Sequence, residues 1–346
     1  GPLGSIFAAG NRVMIKPSEF TPRTSELMKN MFEDNFSEEE VAVITGGPEV
    51  GADFSSLNFD HLLFTGATSI GRHVMRAASE NLVPVTLELG GKSPVIISDS
   101  SNVEQSSKRI IAGKTMNAGQ ICLAPDYVLL PENKLNKFVT HAKETVSSMF
   151  PSIKDNDDYT SVINEKHYSR LKSYIDEARD NGCEVIEINP AEEDFEQQEH
   201  YKIPPTLLIN PDDNLKVMQE EIFGPILPIK TYKEFGETID YVNKKDRPLG
   251  LYYFGNNNSE LSTVLDKTTS GGVTVNDVIF HVAQDNAPFG GVGPSGMGSY
   301  HGKEGFKNFS HAKTIFTQTK LDNVISVFRP PYGSKARKAL KSQIKA

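Results

Sequence analysis

Cysteine is scarce: among 346 residues only Cys122 and Cys183 occur. Two thiols are too few for a disulfide framework or an all-cysteine metal site, and they suit a reducing, cytoplasmic setting. Long apolar runs are also missing, so no membrane segment is expected. Positive charge is in deficit, with 36 lysines and arginines against 45 acidic residues and a net charge of -9. That balance argues against a nucleic-acid partner held by a basic surface. The one local exception, Lys335, Arg337, Lys338, Lys341 and Lys345, reads as a solvated basic tail. His281, His301 and His311 are scattered, so no metal is expected. No internal repeat at a solenoid period is visible.

What is there is an ordinary globular composition, 38% hydrophobic and 23% charged, at a length that calls for two domains. Residues 1–5, Gly-Pro-Leu-Gly-Ser, resemble the remnant of a cleaved affinity tag and are set aside. Residues 6–10 read as the end of a helix closed by Gly10. A strand follows at Val13 to Ile15. Thr21-Pro22 then opens a helix predicted to bury Leu27, Met28, Met31 and Phe32. Short strands at 41–44 and 62–65 come next, the second running through Gly66 into a helix with Ile70, Val74 and Ala78 at helical spacing. This is the rhythm of an open parallel sheet, which binds dinucleotides at the carboxyl ends of its strands. From Leu89 the pattern restarts as a second α/β unit: strand 95–97, helix 103–116, strand 127–130, a helix ended by Gly182, and strand 185–188. Residues 189–201 are acidic, lack periodicity and read as a solvated loop.

The chemical candidates are weak one at a time. Cys122 follows Gly119, which lets backbone amides turn toward the sulfur, yet a lone cysteine is more often an inert core residue. Glu88 ends an apolar strand ahead of Gly90-Gly91, where a carboxylate is usually solvated or ion-paired. Glycines 66 and 71 by themselves signal only close packing. The Gly-rich run 290–298 lacks the lysine and helix placement of a phosphate loop, which leaves a tight irregular turn.

In combination they stop being independent. Leu87-Glu88-Leu89-Gly90-Gly91-Lys92-Ser93-Pro94, then Gly119-Gln120-Ile121-Cys122, then Glu220-Glu221-Ile222-Phe223-Gly224-Pro225 closely resemble, in order, the signatures of the aldehyde dehydrogenase superfamily. Ile15-Lys16-Pro17-Ser18-Glu19, Phe64-Thr65-Gly66 and Asn286-Ala287-Pro288-Phe289-Gly290-Gly291 add three further matches, so that the resemblance runs from about Ile6 to Phe316. Ala124-Pro125-Asp126-Tyr127 and residues 296–302 look most like the dimeric class-3 and fatty-aldehyde branch, which includes coniferyl aldehyde dehydrogenases.

The resemblance implies an α/β fold with two Rossmann-like open-sheet domains and a small oligomerisation strand, the first part of the cofactor domain being absent. It divides the chain into a partial NAD(P)-binding domain at 6–88, a catalytic domain at 89–285, a return to the cofactor domain at 286–310, an oligomerisation strand at 311–320 and a tail at 321–346. It implies oxidation of an aldehyde to a carboxylic acid with Cys122 as nucleophile and Glu88 as general base. Lys16 and Glu19 would hold the adenosine ribose, favouring NAD and leaving NADP open. Gly66, Thr68, Gly71 and Leu89 would line the approach of the cofactor, with Ala67 standing where many members have a phosphate-bonding serine. Glu221 and Phe223 would meet the nicotinamide ribose and ring, and Phe289 would wall the aldehyde pocket. The resemblance places an oxyanion-binding asparagine upstream of the first residue, so the chain is expected to show little or no dehydrogenase turnover. The competing readings are a cofactor-independent cysteine acyltransferase or hydrolase, against which no paired histidine motif occurs, and an inactive binding protein, against which the three acidic and thiol residues are all retained.

Overall fold

The computed structural model describes residues 1–318, 320 and 328–344. Contacts divide the chain into one unit at Gly1–Ser310 and a second at His311–Ala346.

The first unit opens with helix α1 (Pro2–Ala8). Gly10 at φ +79° closes it: the Gly10 amide donates to the Phe7 carbonyl and the Asn11 amide to that of Ile6, the pattern in which a left-handed glycine satisfies a helix's last carbonyls. Residues 2–5 of those set aside as a tag remnant are thus helical. Strand β1 (Val13–Ile15), helix α2 (Pro22–Glu33), strand β2 (Val41–Val43), helix α3 (Pro48–Ser55), strand β3 (Leu62–Thr65), helix α4 (Thr68–Glu80) and strand β4 (Val85–Glu88) follow. β1 pairs in parallel with β2, and β3 with β4. These four strands form two separate sheets rather than the single one expected.

Helix α2 corrects a second expectation: Leu27 is 68% and Met31 53% exposed, while Met28 and Phe32 are half-buried. The sheet beneath α2 has two strands of three residues each, too little surface to cover a full helical face. Against α4, Val74 and Ala78 pack with Leu62 and Val83 in a small core, and Ile70 stays half exposed.

The larger sheet is assembled from β5 (Pro94–Ile97), α5 (Val103–Thr115), β6 (Tyr127–Pro131), α6 (Leu135–Met149), α7 (Glu165–Asp180), β7 (Glu184–Glu187), β8 (Thr206–Ile209), α8 (Lys216–Gln219), β9 (Ile226–Tyr232), α9 (Phe235–Asn243), β10 (Gly250–Phe254), α10 (Asn258–Lys267) and β11 (Gly272–Val275). Its order is β11-β10-β5-β6-β9-β8-β7, parallel throughout except for the edge pair β7 and β8. Strands β5, β6, β8 and β10 are buried at every position. A parallel sheet covered by helices on both faces demands this, and it yields two apolar cores, one on each side. The chain then returns to the first part of the molecule. Strand β12 (Gly296–Met297) pairs antiparallel with β4, and helix α11 (Gly302–Asn308) follows.

In the second unit, of the oligomerisation strand expected at 311–320, residues 311–318 and 320 are described, and they pair with no strand among the described residues. Of the tail expected at 321–346, positions 321–327, 345 and 346 lie outside the described residues, as does 319. The remainder includes helix α12 (Ser334–Ile344).

Candidate functional site

Glu88 is the last residue of β4, flanked in register by Thr65 of β3 and Gly296 of β12. The Gly66 amide donates to the Glu88 carbonyl at 3.0 Å and the Leu89 amide to the Ser295 carbonyl at 3.1 Å. The Gly-rich run 290–298 therefore braces the strand end that carries Glu88. A Cβ on Gly291 would stand 2.1 Å from the Ser295 carbonyl, and one on Gly296 2.1 Å from that of Leu87. Only glycine admits backbone that close. The carboxylate is 4% exposed and its Oε1 has no hydrogen-bond partner. Burial raises its pKa to about 8, which excludes the solvated strand end and the ion pair as its role.

Cys122 is carried by a turn with an unusual backbone. Asn117, Ala118 and Gly119 lie consecutively in the left-handed region, at φ 50°, 52° and 73°. For Ala118 that conformation costs about 1–2 kcal/mol, and the surroundings hold it in place. Asn117 Nδ2 donates to the Gln120 carbonyl at 3.1 Å, Gln120 Nε2 to the Asn117 carbonyl at 3.1 Å and to the Ser161 carbonyl at 2.9 Å, and the Ile163 amide to Gln120 Oε1 at 2.9 Å. Gly119 lies against the segment bearing Glu221: a Cβ there would stand 2.3 Å from the Gly224 carbonyl. The turn points the amides of Cys122 and Leu123 toward the sulfur, yet burial first, and then the charges of Glu221 and Glu88, push the thiol up to about 11. A thiol that senses both carboxylates shares a site with them.

Glu221 rests on the Gly90-Gly91 turn that follows Glu88. A Cβ on Gly90 would stand 2.1 Å from its Oε1. Burial and the nearby Asp126 charge raise its carboxyl to about 7, opposed by a hydrogen bond from the Gly91 amide. Phe223, two residues on, has φ +47° and is 36% exposed.

Lys16 and Glu19 meet just beyond β1, Nζ donating to Oε2 at 3.1 Å, with side chains 12% and 31% exposed. Hydrogen bonding to its own backbone amide, and then the Lys16 ammonium, hold the Glu19 carboxyl below the ordinary range. Gly51 of α3 comes within 3.9 Å of Lys16 Nζ, measured from the position of an added Cβ. The sequence reading passed over α3, although Gly47-Pro48-Glu49 is a helix-start signal with proline in the first turn. Thr68 opens α4, but its hydroxyl donates to the Pro294 carbonyl at 3.1 Å. Gly71 packs α4 on Leu89, where a Cβ would meet Leu89 Cδ2 at 2.6 Å.

Phe289 is 5% exposed, stacked on His301 and in edge contact with Tyr300. The residue of this cluster that senses Glu88 and Cys122 is Tyr300. Burial and the charges of Glu88 and Cys122 push its phenol up to about 12. Sequence reading missed Tyr300 because its closeness to Cys122 is made only in three dimensions. Lys114, also missed, is buried beneath the same place. Burial lowers its ammonium to about 8 while Asp126 and Glu221 oppose the shift. Among the described residues no group of three or more histidine, cysteine or acidic side chains is placed to hold a metal ion, and no helix is long and apolar enough to cross a membrane.

Parallel sheets with a lysine and glutamate paired just beyond one strand end, and a thiol that senses two buried carboxylates, fit a dinucleotide-dependent oxidoreductase. The chain belongs to the aldehyde dehydrogenase family, whose model matches residues 2–315. It is 63% identical over 345 residues to a probable coniferyl aldehyde dehydrogenase of Caulobacter vibrioides, covering 99% of this chain and 71% of that protein. It is 55% identical to the coniferyl aldehyde dehydrogenase of a Pseudomonas species, covering 96% and 69% respectively. The solved substrate-bound Staphylococcus aureus AldH superimposes with a TM-score of 0.89 at 40% identity, covering 99% of this chain and 73% of that one. The family is one of NAD(P)-dependent enzymes that act on small aldehydes.

Proposed function

We propose that aldehyde oxidation by this protein runs through Cys122 as nucleophile and Glu88 as general base. The observation that carries this reading is the packing that brings the three segments together: Glu221 rests on the Gly90 turn that follows Glu88, and Gly119 ahead of Cys122 lies against Gly224 beside Glu221. Once deprotonated, the sulfur adds to the aldehyde carbon, and loss of hydride leaves a thioester on Cys122. Bound NAD supplies the hydride acceptor. Glu88 then takes a proton from a water molecule as that water adds to the thioester carbonyl, and the acid leaves with the thiol restored. A carboxyl with a pKa of about 8 holds a proton over much of the neutral range. Hydrolysis therefore quickens as pH rises through that value, where the carboxylate form predominates.

The residues present fit the cofactor. Lys16 and Glu19 offer a donor and an acceptor to the ribose hydroxyls, and the carboxylate favours NAD over a 2′-phosphate. Helix α4 begins two residues after Gly66, and no side chain caps its amino end, which leaves the amides of Thr68 and Ser69 for the pyrophosphate, while Gly66 and Gly71, whose own amides are bonded to the Glu88 and Ala67 carbonyls, let the backbone and helix come close. Glu221 takes the nicotinamide ribose and Phe223 flanks the ring, while Leu89 packs α4 against the site. The named substrate of the relatives points to an aromatic aldehyde of the coniferyl kind. Phe289 backs its pocket behind Tyr300. Two free cysteines suit the cytoplasm. Ile315 and Phe316, 79% and 74% exposed, support a homodimer edge along residues 312–318.

The test is trapping of the intermediate. Incubation with coniferyl aldehyde and NAD is expected to add one acyl group to the tryptic peptide of Cys122, and the adduct should persist in Glu88→Gln. An adduct on Cys183, or one that forms equally well without NAD, would refute the reading.

A further inference from the structure

The segment that bears Glu221 has no regular structure between α8 and β9, and Phe223 within it is left-handed. Such a stretch cannot hold a carboxylate still by itself. Its backbone groups are instead gripped by side chains from elsewhere. Lys92 Nζ donates to the carbonyls of Val217 at 2.7 Å and Glu220 at 2.9 Å, and pairs with Asp126 Oδ1. Asp126 Oδ2 accepts the Ile222 amide at 3.0 Å, and the Asp126 amide in turn donates to the Ser93 carbonyl at 2.9 Å. The ion pair is nearly dry, its side chains 10% and 4% exposed. Lys92 sits four residues after Glu88, and Asp126 four residues after Cys122. One buried contact thus ties together the three segments that carry Glu88, Cys122 and Glu221.

We propose that Lys92 and Asp126 are positioning residues that fix Glu221 for the nicotinamide ribose. The inference rests on the reading of Glu221 given above. Arg170 is a second support, donating to the carbonyls of Glu221 at 3.2 Å and Ile222 at 2.8 Å. It approaches from α7, and its hydrogen bonds among the described residues go to Tyr174, Glu221 and Ile222. The lysine and aspartate therefore set the position of the Glu221 loop relative to the thiol and the base, and arginine alone does not.

The test uses the full chain with Lys92→Met and Asp126→Asn singly and together, the paired change leaving no lone buried charge, and with Lys92→Arg as the conservative variant. Hydrogen exchange is read first, because it needs no cofactor. Residues 217–223 in the paired variant are expected to exchange at least about tenfold faster, with β5 and β6 unchanged, and Lys92→Arg to restore most of the protection. NAD binding is read second, by calorimetry. The paired variant should weaken NAD about tenfold or more in the parent, and have no further effect in a Glu221→Gln background, because both act through one carboxylate. Unchanged exchange at 217–223 sinks the proposal, and so does a loss of NAD affinity that adds to that of Glu221→Gln. If instead Glu221→Gln leaves NAD binding untouched, the assignment of Glu221 to the ribose fails, and the role proposed for the pair fails with it.

Discussion

At the scale of single residues, the site is defined by groups held in their neutral forms. The Cys122 thiol, pushed to about 11 by burial, Glu221 and Glu88, is poorly reactive at neutral pH because only the thiolate attacks. Neutralising a neighbouring carboxylate removes part of what suppresses it. Glu221→Gln is therefore expected to lower the thiol pKa and accelerate carbamidomethylation of Cys122 severalfold near pH 8.5, a value chosen close to the ordinary thiol range. Rates measured by peptide mass spectrometry across a pH series, in a Cys183→Ser background, decide the matter. A thiol that titrates identically with and without the Glu221 charge would mean that the two groups do not share a site. The bare identity of both residues was legible from their motifs, because each signature is a short, contiguous string. Their mutual electrostatics were not, since 99 positions separate Cys122 from Glu221 and only the fold brings them together.

At the scale of elements, the turn before Cys122 shows how backbone geometry is converted into placement. Gly119 combines φ +73° with a Cβ position 2.3 Å from the Gly224 carbonyl. Alanine there must both adopt a left-handed conformation and force two loops apart. Gly119→Ala is expected to cost about 1–3 kcal/mol of stability by urea denaturation, and to abolish acylation of Cys122 because the sulfur moves with the turn. Gly71→Ala is the contrasting case, its nearest obstacle being the movable Cδ2 of Leu89 at 2.6 Å. It should cost less, and measured ΔΔG values in the reverse order would contradict this account of the turn. The regular elements themselves were largely readable from periodicity. Strands at Val13, Leu62 and Pro94, and the helix from Val103, fall where alternation and helical spacing put them. The misses have physical causes. Helix α3 is eight residues long and glycine-containing, so it carries little periodic signal. Helix α2 has the right spacing at Leu27 and Met31 but too small a sheet to pack on. Phe289 is a buried ring packed on Tyr300 and His301, a setting that no one-dimensional pattern contains.

For the whole molecule, the same neutral groups tie stability to pH. Glu88 and Glu221 have carboxyls raised from 4.5 to about 8 and about 7, in both cases chiefly by burial. A folded state that binds a proton more tightly than the unfolded chain gains stability from it below the unfolded pKa, and loses that gain as pH rises through the folded value. Each group thus favours folding fully below about pH 4.5, and its contribution is gone above about 7 for Glu221 and about 8 for Glu88. Within that window one such group changes the unfolding free energy by at most ~1.4 kcal/mol per pH unit. The alkaline conditions in which the proposed mechanism has Glu88 act as a base are therefore those in which its burial most weakens the fold. Glu88→Gln removes the charge without changing the shape of the side chain, and is expected to be less stable than, or equal to, the parent near pH 5 and more stable near pH 8, the two ends of the window. Urea unfolding at a series of pH values measures this. A difference between variant and parent that stays constant with pH would show that the buried carboxyl at position 88 carries no such proton.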